Sequence, residues 1–288
     1  MLSGAVERAF EDPPRTADGV RRFLKERGVS YHPRIIAHVT MRGGTGKTTA
    51  TVSAAVRAAQ YGFKVCVLDL DPQGSSTLAF NAAPDDGDPL FYDIWQNPRE
   101  FLPAALKAIR ENLEMLPSSL ENALLDASLI NPASQKKAVK GVCDVLMECG
   151  YDTIIIDCPP SLGIAVISAI CAAGIVAIPV GSDAFSMRGL ELTLSEIASI
   201  RETFGLPMPE VRILFSRYDR REKVSRNMLD SLRLRYAHLP LTVIGTSSEF
   251  SKALAAGKTV FSSFRKSQAR DDYDQYVRDI LGIALQIP

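Results

Sequence analysis

The five cysteines of this 288-residue chain form no C-x-x-C pair. Cys66, Cys143, Cys149, Cys158 and Cys171 are odd in number and scattered, which argues against a disulfide framework or a zinc site and for a reducing cytosol. The opening residues, M-L-S-G-A-V-E-R-A-F-E-D, lack the apolar run of a signal peptide. Internal repeats and low-complexity tracts are missing too. Net charge is also absent, with 33 Lys/Arg against 33 Asp/Glu, but the balance is uneven. Residues 211–270 hold 13 Lys/Arg against 4 Asp/Glu, leaving 20 against 29 elsewhere. A basic C-terminal third of this kind hints at an anionic partner.

What is present suits a globular protein. With 46% hydrophobic and 23% charged residues, the chain supports one large α/β domain or two small ones without staples. Leu162 to Val180 is almost wholly apolar and nearly long enough to span a bilayer. Ser168, Gly174 and Pro179 interrupt it, and its β-branched residues collect at the end. A buried helix followed by a buried strand explains it better.

Residues 1–33 read as an extension. Thr16 caps a short amphipathic helix, T-A-D-G-V-R-R-F-L-K-E-R, that Gly28 ends. Val20, Phe23 and Leu24 share its apolar face, which docks on the main domain or on a partner. From residue 34 onward, short apolar runs alternate with stretches of helical length. Strands are predicted near 35–40, 64–69, 113–116, 152–157, 175–180, 211–216 and 241–244. Helices are predicted near 47–61, 135–149, 163–173, 187–204, 223–236, 249–256 and 271–285. The segment A-P-D-D-G-D-P at 83–89 is a loop. This alternation predicts an α/β fold with a mainly parallel twisted sheet flanked by helices on both faces.

Residues 40–50, T-M-R-G-G-T-G-K-T-T-A, lie between a predicted strand and a predicted helix. The ending Gly46-Lys47-Thr48 fits a phosphate loop, but G-x-x-x-x-G-K-[ST] needs glycine where Met41 stands. Glycines 43, 44 and 46 let backbone N–H groups face inward, and the following helix points its positive end at the same spot. Lys47 is placed to reach the terminal phosphates and the Thr48 hydroxyl to ligate Mg²⁺. Two further strands end in acids: K-V-C-V-L-D-L-D-P-Q-G in Asp69 and Asp71, and Y-D-T-I-I-I-D-C-P-P in Asp157. Carboxylates at the carboxyl ends of parallel strands converge on the crevice that holds the loop. Asp157 is suited to hold Mg²⁺ through water, and Asp71 to orient or activate the attacking water. The bland alternative is that these aspartates cap turns.

Together, R-G-G-T-G-K-T-T, D-L-D-P-Q-G and I-I-I-D-C-P-P resemble the deviant Walker A ATPases, specifically the ParA branch of the ParA/MinD family, from about Ile35 to the C-terminus. The resemblance implies a P-loop ATPase domain over 34–288, with ATP and Mg²⁺ as cofactors. Arg42, Gly43, Gly44, Thr45, Gly46, Lys47, Thr48 and Thr49 would hold the nucleotide. Thr48, Asp157 and Asp71 would serve the metal, and Asp71, Arg42 and Lys47 the hydrolysis. The family pattern is K-G-G-x-G-K-[ST], whose first lysine reaches across an ATP-sandwich dimer. Here Arg42 replaces that lysine, keeping the charge but exchanging a point charge for a planar fork. Residues 216–219, S-R-Y-D, lie where the family closes over the adenine, so Arg217 and Tyr218 are candidates to face nucleotide.

The resemblance also implies non-specific DNA binding by the basic third. Candidate contacts are Arg220, Arg221, Lys223, Arg226, Arg233, Arg235, Lys252, Lys258, Arg265 and Lys266, which need only neutralise phosphates. A solvated face interspersed with Asp219, Glu222 and Asp230 is the competing reading. Gly245 stands where the family usually has an arginine, so DNA affinity would be reduced or supplied from Lys252 and Lys258. The implied function is an ATP-dependent homodimeric switch that segregates or positions a cargo, with hydrolysis stimulated by a ParB-like or adaptor protein. It would work in the cytoplasm on the nucleoid. Plasmid, chromosome origin, chemoreceptor cluster and protein microcompartment all remain open as cargo. The rival is a MinD-like membrane ATPase, but the tail D-D-Y-D-Q-Y-V-R-D-I-L is acidic on its polar side, which disfavours an anionic bilayer. A metabolic or iron–sulfur member would need a substrate pocket or paired cysteines. The cysteine spacing offers none, while a carboxylate substrate site stays open.

Overall fold

Strand Thr153–Asp157 reads T-I-I-I-D and is buried along its whole length. Ile154 and Ile156 enter one core and Ile155 the other, because successive side chains point to opposite sides of a sheet. An apolar run without polar alternation is what a central strand covered on both faces requires. The computed structural model describes residues 31–125, 129–183, 185–262 and 267–283.

The described strands are β1 (Arg34–His38), β2 (Val65–Asp69), β3 (Lys107–Arg110), β4 (Leu113–Leu116), β5 (Thr153–Asp157), β6 (Ile175–Val180), β7 (Glu210–Tyr218) and β8 (Leu241–Gly245). They form one sheet in the order β3-β4-β2-β5-β1-β6-β7-β8. Every pairing is parallel except that of β3 with β4. The helices are α1 (Lys47–Gln60), α2 (Ser75–Ala79), α3 (Phe91–Ile94), α4 (Pro98–Ala105), α5 (Pro132–Glu148), α6 (Ile164–Ala172), α7 (Ser186–Thr203), α8 (Lys223–Arg235), α9 (Ser248–Ala255) and α10 (Gln268–Leu281). Helices α5 to α8 supply one core, and α1 and α10 the other. The expected α/β sheet with helices on both faces is what forms. Leu162–Val180 resolves into α6 and β6, and among the described residues no helix is long and apolar enough to cross a membrane.

Several short elements differ from expectation. α2, α3 and α4 have four to eight residues, too few for a helical apolar period to stand out. β3 (K-A-I-R) is a half-exposed edge strand without strong β signals. α5 starts at Pro132 behind the Asn131 cap, and α10 at Gln268 behind Ser267, both three residues earlier than the apolar pattern alone implies. The helix expected at Thr16–Gly28 lies outside the described residues.

Polar contacts lock α10 onto the loop-bearing helix. Asp274 accepts from Arg57 Nε and from Tyr61 Oη at 2.5 Å, and pairs with Arg278 at 2.7 Å. His38, at the end of β1, lies 2.6 Å from Tyr276 Oη and 3.0 Å from Thr51 Oγ1. Burial first, and the charge of Lys47 second, push the His38 imidazole down to about 3. It is therefore a neutral core histidine, satisfied on both ring nitrogens, that ties β1, α1 and α10 together.

Candidate nucleotide site

The crevice opens at the carboxyl ends of β1, β2, β5 and β6, where parallel sheets place their ligands. After β1 the chain turns through residues 41–46 into α1. Gly44 and Gly46 adopt φ of 73° and 97°, backbone that L side chains rarely take. A Cβ on Gly43 or Gly44 would meet nothing within 4 Å, so the loop's upper face is open space. Gly46 backs onto Ser216 of β7, whose Oγ would lie 3.5 Å from an added Cβ. The result is a glycine cradle at a helix N-terminus, an anion-binding geometry.

Charged side chains line the cradle. Lys47 is buried, and its Nζ donates to the Arg42 carbonyl at 3.4 Å, folding back over the loop. Burial lowers its pKa, and Asp157 partly offsets the effect. Thr48 Oγ1 donates to Asp157 Oδ2 at 2.9 Å, and Ser76 Oγ to the same oxygen at 2.5 Å. Asp157 Oδ1 is buried with no hydrogen-bond partner, and so is Thr45 Oγ1. A hydroxyl and a carboxylate with an unpartnered buried oxygen form a hard-oxygen donor set that fits Mg²⁺ or a water on it. Among the described residues no group of three or more His, Cys, Asp or Glu makes a ready-made metal cage. The remaining ligands of a magnesium ion would then come from water and phosphate, as that ion prefers.

Asp69 and Asp157 are register partners on adjacent strands. Burial, and then the neighbouring Asp157, push Asp69 up to about 7, and burial raises Asp157 as well. Asp69 Oδ2 accepts from both the N–H and the hydroxyl of Thr77 at 2.8 Å, and Asp69 Oδ1 from the Asp71 N–H at 3.2 Å. Asp71 sits on the turn above, its carboxylate accepting from Gln73 N–H at 3.0 Å. Asp69 thus anchors the turn that carries Asp71.

A pH dependence follows. Unfolded, Asp69 loses its proton near 3.8; folded, it keeps it to about 7. Between those values the folded chain binds the extra proton, so the nucleotide-free protein loses stability as pH rises from about 4 to about 7. Asp69→Asn is expected to flatten that slope in urea midpoints measured across the range; an unchanged slope would refute the assignment.

At the loop's mouth Arg42 Nη1 donates to Asp183 and, at 3.3 Å, to Ser186 Oγ, with its guanidinium carbon 5.7 Å from the centre of the Phe185 ring. Burial opposes ionisation of Asp183, but hydrogen bonds from Arg42 and Ser186 prevail and hold it at about 2. Beside Gly46 and Thr49 lies a cavity of about 210 Å³ lined also by Ser216, Arg217, Phe250 and Tyr273. Arg217 reaches it from left-handed backbone, φ 59°. Tyr218 does not join it: its ring packs on Phe215 at 6.0 Å, and the residue borders a separate trough.

The structure therefore brings together Gly43 to Thr49, Asp71, Asp157 and Arg217, and parts Tyr218 from them. Asp69, Ser76, Asp183 and Ser216 complete the surroundings. Asp69 carried a sequence signal, as the acid ending a buried strand, and Ser216 lies in the S-R-Y-D segment; Ser76 and Asp183 had no signal of their own. The basic third divides in space. Lys223, Arg226, Arg233 and Arg235 are exposed on α8, while Lys252 and Lys258 lie on and just after α9. Met228 and Leu229 of α8 enter one core and Phe250 of α9 packs against the other, so these helices flank opposite faces of the sheet. Arg221 is engaged by Asp219, and Arg226 donates to the Arg220 carbonyl at 2.7 Å. Arg265 and Lys266 lie outside the described residues.

A parallel sheet with a glycine loop opening α1, a buried lysine, and a threonine–aspartate pair at the crevice defines a P-loop ATPase. The chain belongs to the AAA_31 family (AAA domain), which matches residues 33–208, and within it the likeness is to partition ATPases of the ParA type. It is 29% identical over 245 residues to the cell division protein PomZ of Myxococcus xanthus, covering 84% of this chain and 76% of that protein. The chromosome partitioning protein ParA of Caulobacter vibrioides is 24% identical over 250 residues, 86% of this chain and 94% of that one. In fold the chain matches the ATP complex of a variant of McdA from Cyanothece with a TM-score of 0.79 at 21% identity, covering 90% of this chain and all of that one.

Proposed function

We propose that this ATPase is a positioning or partition switch: ATP with Mg²⁺ binds in the loop, two protomers close over two nucleotides, and the dimer holds DNA until a partner triggers slow hydrolysis. Lys47 and the loop N–H groups would hold the phosphates, Thr48 and Asp157 the metal, and Asp71 the attacking water. The 210 Å³ cavity beside Gly46 would take the base, with Arg217 at its wall. Bound magnesium would neutralise charge developing on the phosphates.

The observation that carries the reading is a set of exposed apolar side chains at the crevice end of the sheet. Leu78, Leu120, Leu162 and Phe185 are exposed, and each follows the carboxyl end of a different strand: β2, β4, β5 and β6. Exposed apolar side chains at the mouth of a charged crevice favour a protein contact face, and one of them, Phe185, lies 5.7 Å from the guanidinium carbon of Arg42. The exposed cations of α8 support DNA as the anionic partner, and a ParB-like or adaptor protein would supply the stimulus. The cargo would be the chromosome or another large body, moved in the cytoplasm over the nucleoid. Residues 1–33 would be an appendage that docks on this domain or on a partner.

Lipid is the less favoured surface. Tyr273, Tyr276, Val277 and Ile280 of α10 are buried against α1, so the apolar face of that helix is already used. The test joins sedimentation to DNA retardation, with the Asp71→Ala chain blocking turnover. ATP and magnesium should produce a dimer that retards DNA, and ADP should not. If about five phosphates are neutralised, affinity should fall about 500-fold between roughly 50 and 200 mM salt. A monomer under ATP, or retardation indifferent to nucleotide, would refute the reading.

A further inference from the structure

The two edges of the sheet are finished differently. At the β3 edge the strand is only four residues long, carries Lys107 and Arg110, and is irregular between Ala108 and Arg110. Short length, charge and irregularity are how edges avoid further pairing. The β8 edge, L-T-V-I-G, is five residues long and carries no charge and no proline, although its register with β7 shifts between Phe215 and Tyr218.

The outer side of β8 can be read from its bonds. Ile213 N–H donates to the Pro240 carbonyl and Thr246 N–H to the Tyr218 carbonyl, both facing β7. Gly245 N–H points the other way, to Asp272 Oδ2 of α10 at 2.7 Å. Alternate residues of a parallel strand face the same side, so Leu241 and Val243 present their N–H and C=O groups outward with Gly245. Among the described residues Asp272 alone bonds to the main chain on that side, and it engages only Gly245.

Two cavities of about 670 and 490 Å³ lie along this edge and share Val243, Gln268 and Asp272, so they form one trough between β8 and α10. Its α10 wall is acidic: Asp271, Asp272 and Asp279, with Gln268 donating to Asp272 at 2.6 Å and Gln275 to Asp279 at 2.9 Å. Arg220 and Arg221 close one end, the latter engaged by Asp219.

We propose that the β8 edge is a docking site for an extended cationic peptide of a partner protein, added as a ninth strand. Main-chain bonds to Leu241 and Val243 would hold it, and Lys or Arg at alternate positions would face the α10 carboxylates. A second copy fits worse, since a two-fold β8–β8 pair would set the same carboxylates against each other. DNA fits worse for the same charge. The site involves no nucleotide and stands apart from the switch proposed above.

The probe is a labelled peptide of alternating lysine and threonine, about eight residues long to match an edge strand, with its glutamate–threonine counterpart as control. It is titrated into the full-length chain while amide exchange is followed. The lysine peptide should bind saturably and slow exchange at Leu241 and Val243. Affinity should drop at least about 10-fold in Asp271→Lys/Gln275→Lys, which alters only exposed side chains and sets like charges against the peptide. It should drop similarly in Val243→Pro, which removes one outward N–H at a position where an edge strand tolerates proline. Equal binding of the glutamate peptide would overturn the proposal, as would binding without protection at these amides or no binding at all. Protection of both amides in the free chain would also overturn it, by showing the edge covered by this chain's own residues or by a second copy.

Discussion

Lys47→Ala is expected to lower ATP turnover by at least about 100-fold, the scale of losing one preorganised charge from a phosphoryl-transfer site. Lys47 is buried at the start of α1, and burial works against its charge until an anion arrives. The loop is thus poised for phosphate: binding relieves a desolvated ammonium and fills the open space over Gly43 and Gly44. Because the Nζ donates to the Arg42 carbonyl over a long 3.4 Å, its loss should leave the nucleotide-free fold intact. Unfolding midpoints near wild type, together with lost nucleotide affinity in calorimetry, would separate this outcome from misfolding. Turnover within about threefold of wild type would disprove the assignment.

Arg42→Ala should abolish ATP-dependent dimerisation and lower turnover by about 100-fold or more, if the guanidinium answers the neighbour's phosphates as an arginine finger does. In the single chain it pairs with Asp183, but the side chains are 36% and 47% exposed. An ion pair that open is worth about 1 kcal/mol or less, a hold that a triphosphate easily outbids. Arg42→Lys should fall between, since it keeps charge and loses the fork that meets Asp183 and Ser186. Sedimentation with ATP and magnesium checks both variants; unchanged dimer and turnover in Arg42→Ala would end the idea.

The legible part of the site was the part written in consecutive residues. Gly43 to Thr49 follow one strand and open one helix, so their geometry is local, and the structure builds it as the spacing implied. Asp157 was legible because a run of three isoleucines ending in aspartate reads as a buried strand delivering an acid to the crevice. Arg217 and Tyr218, adjacent in sequence, part company because positive φ at Arg217 turns the chain and sends Tyr218 back onto Phe215. The basic third is one stretch of sequence, yet its helices α8 and α9 lie on opposite sides of the sheet that separates them.

By itself the order of residues determined the parallel sheet, the phosphate loop and the strand-end acids, since each depends on periodicity or spacing within a few residues. Tertiary structure alone decided that Ser76 and Thr48 share one oxygen of Asp157, that Asp183 receives Arg42, and that the β8 edge runs beside an acidic helix. Those contacts join segments tens to more than a hundred residues apart. Their existence depends on which strand lies next to which, and no local pattern encodes that.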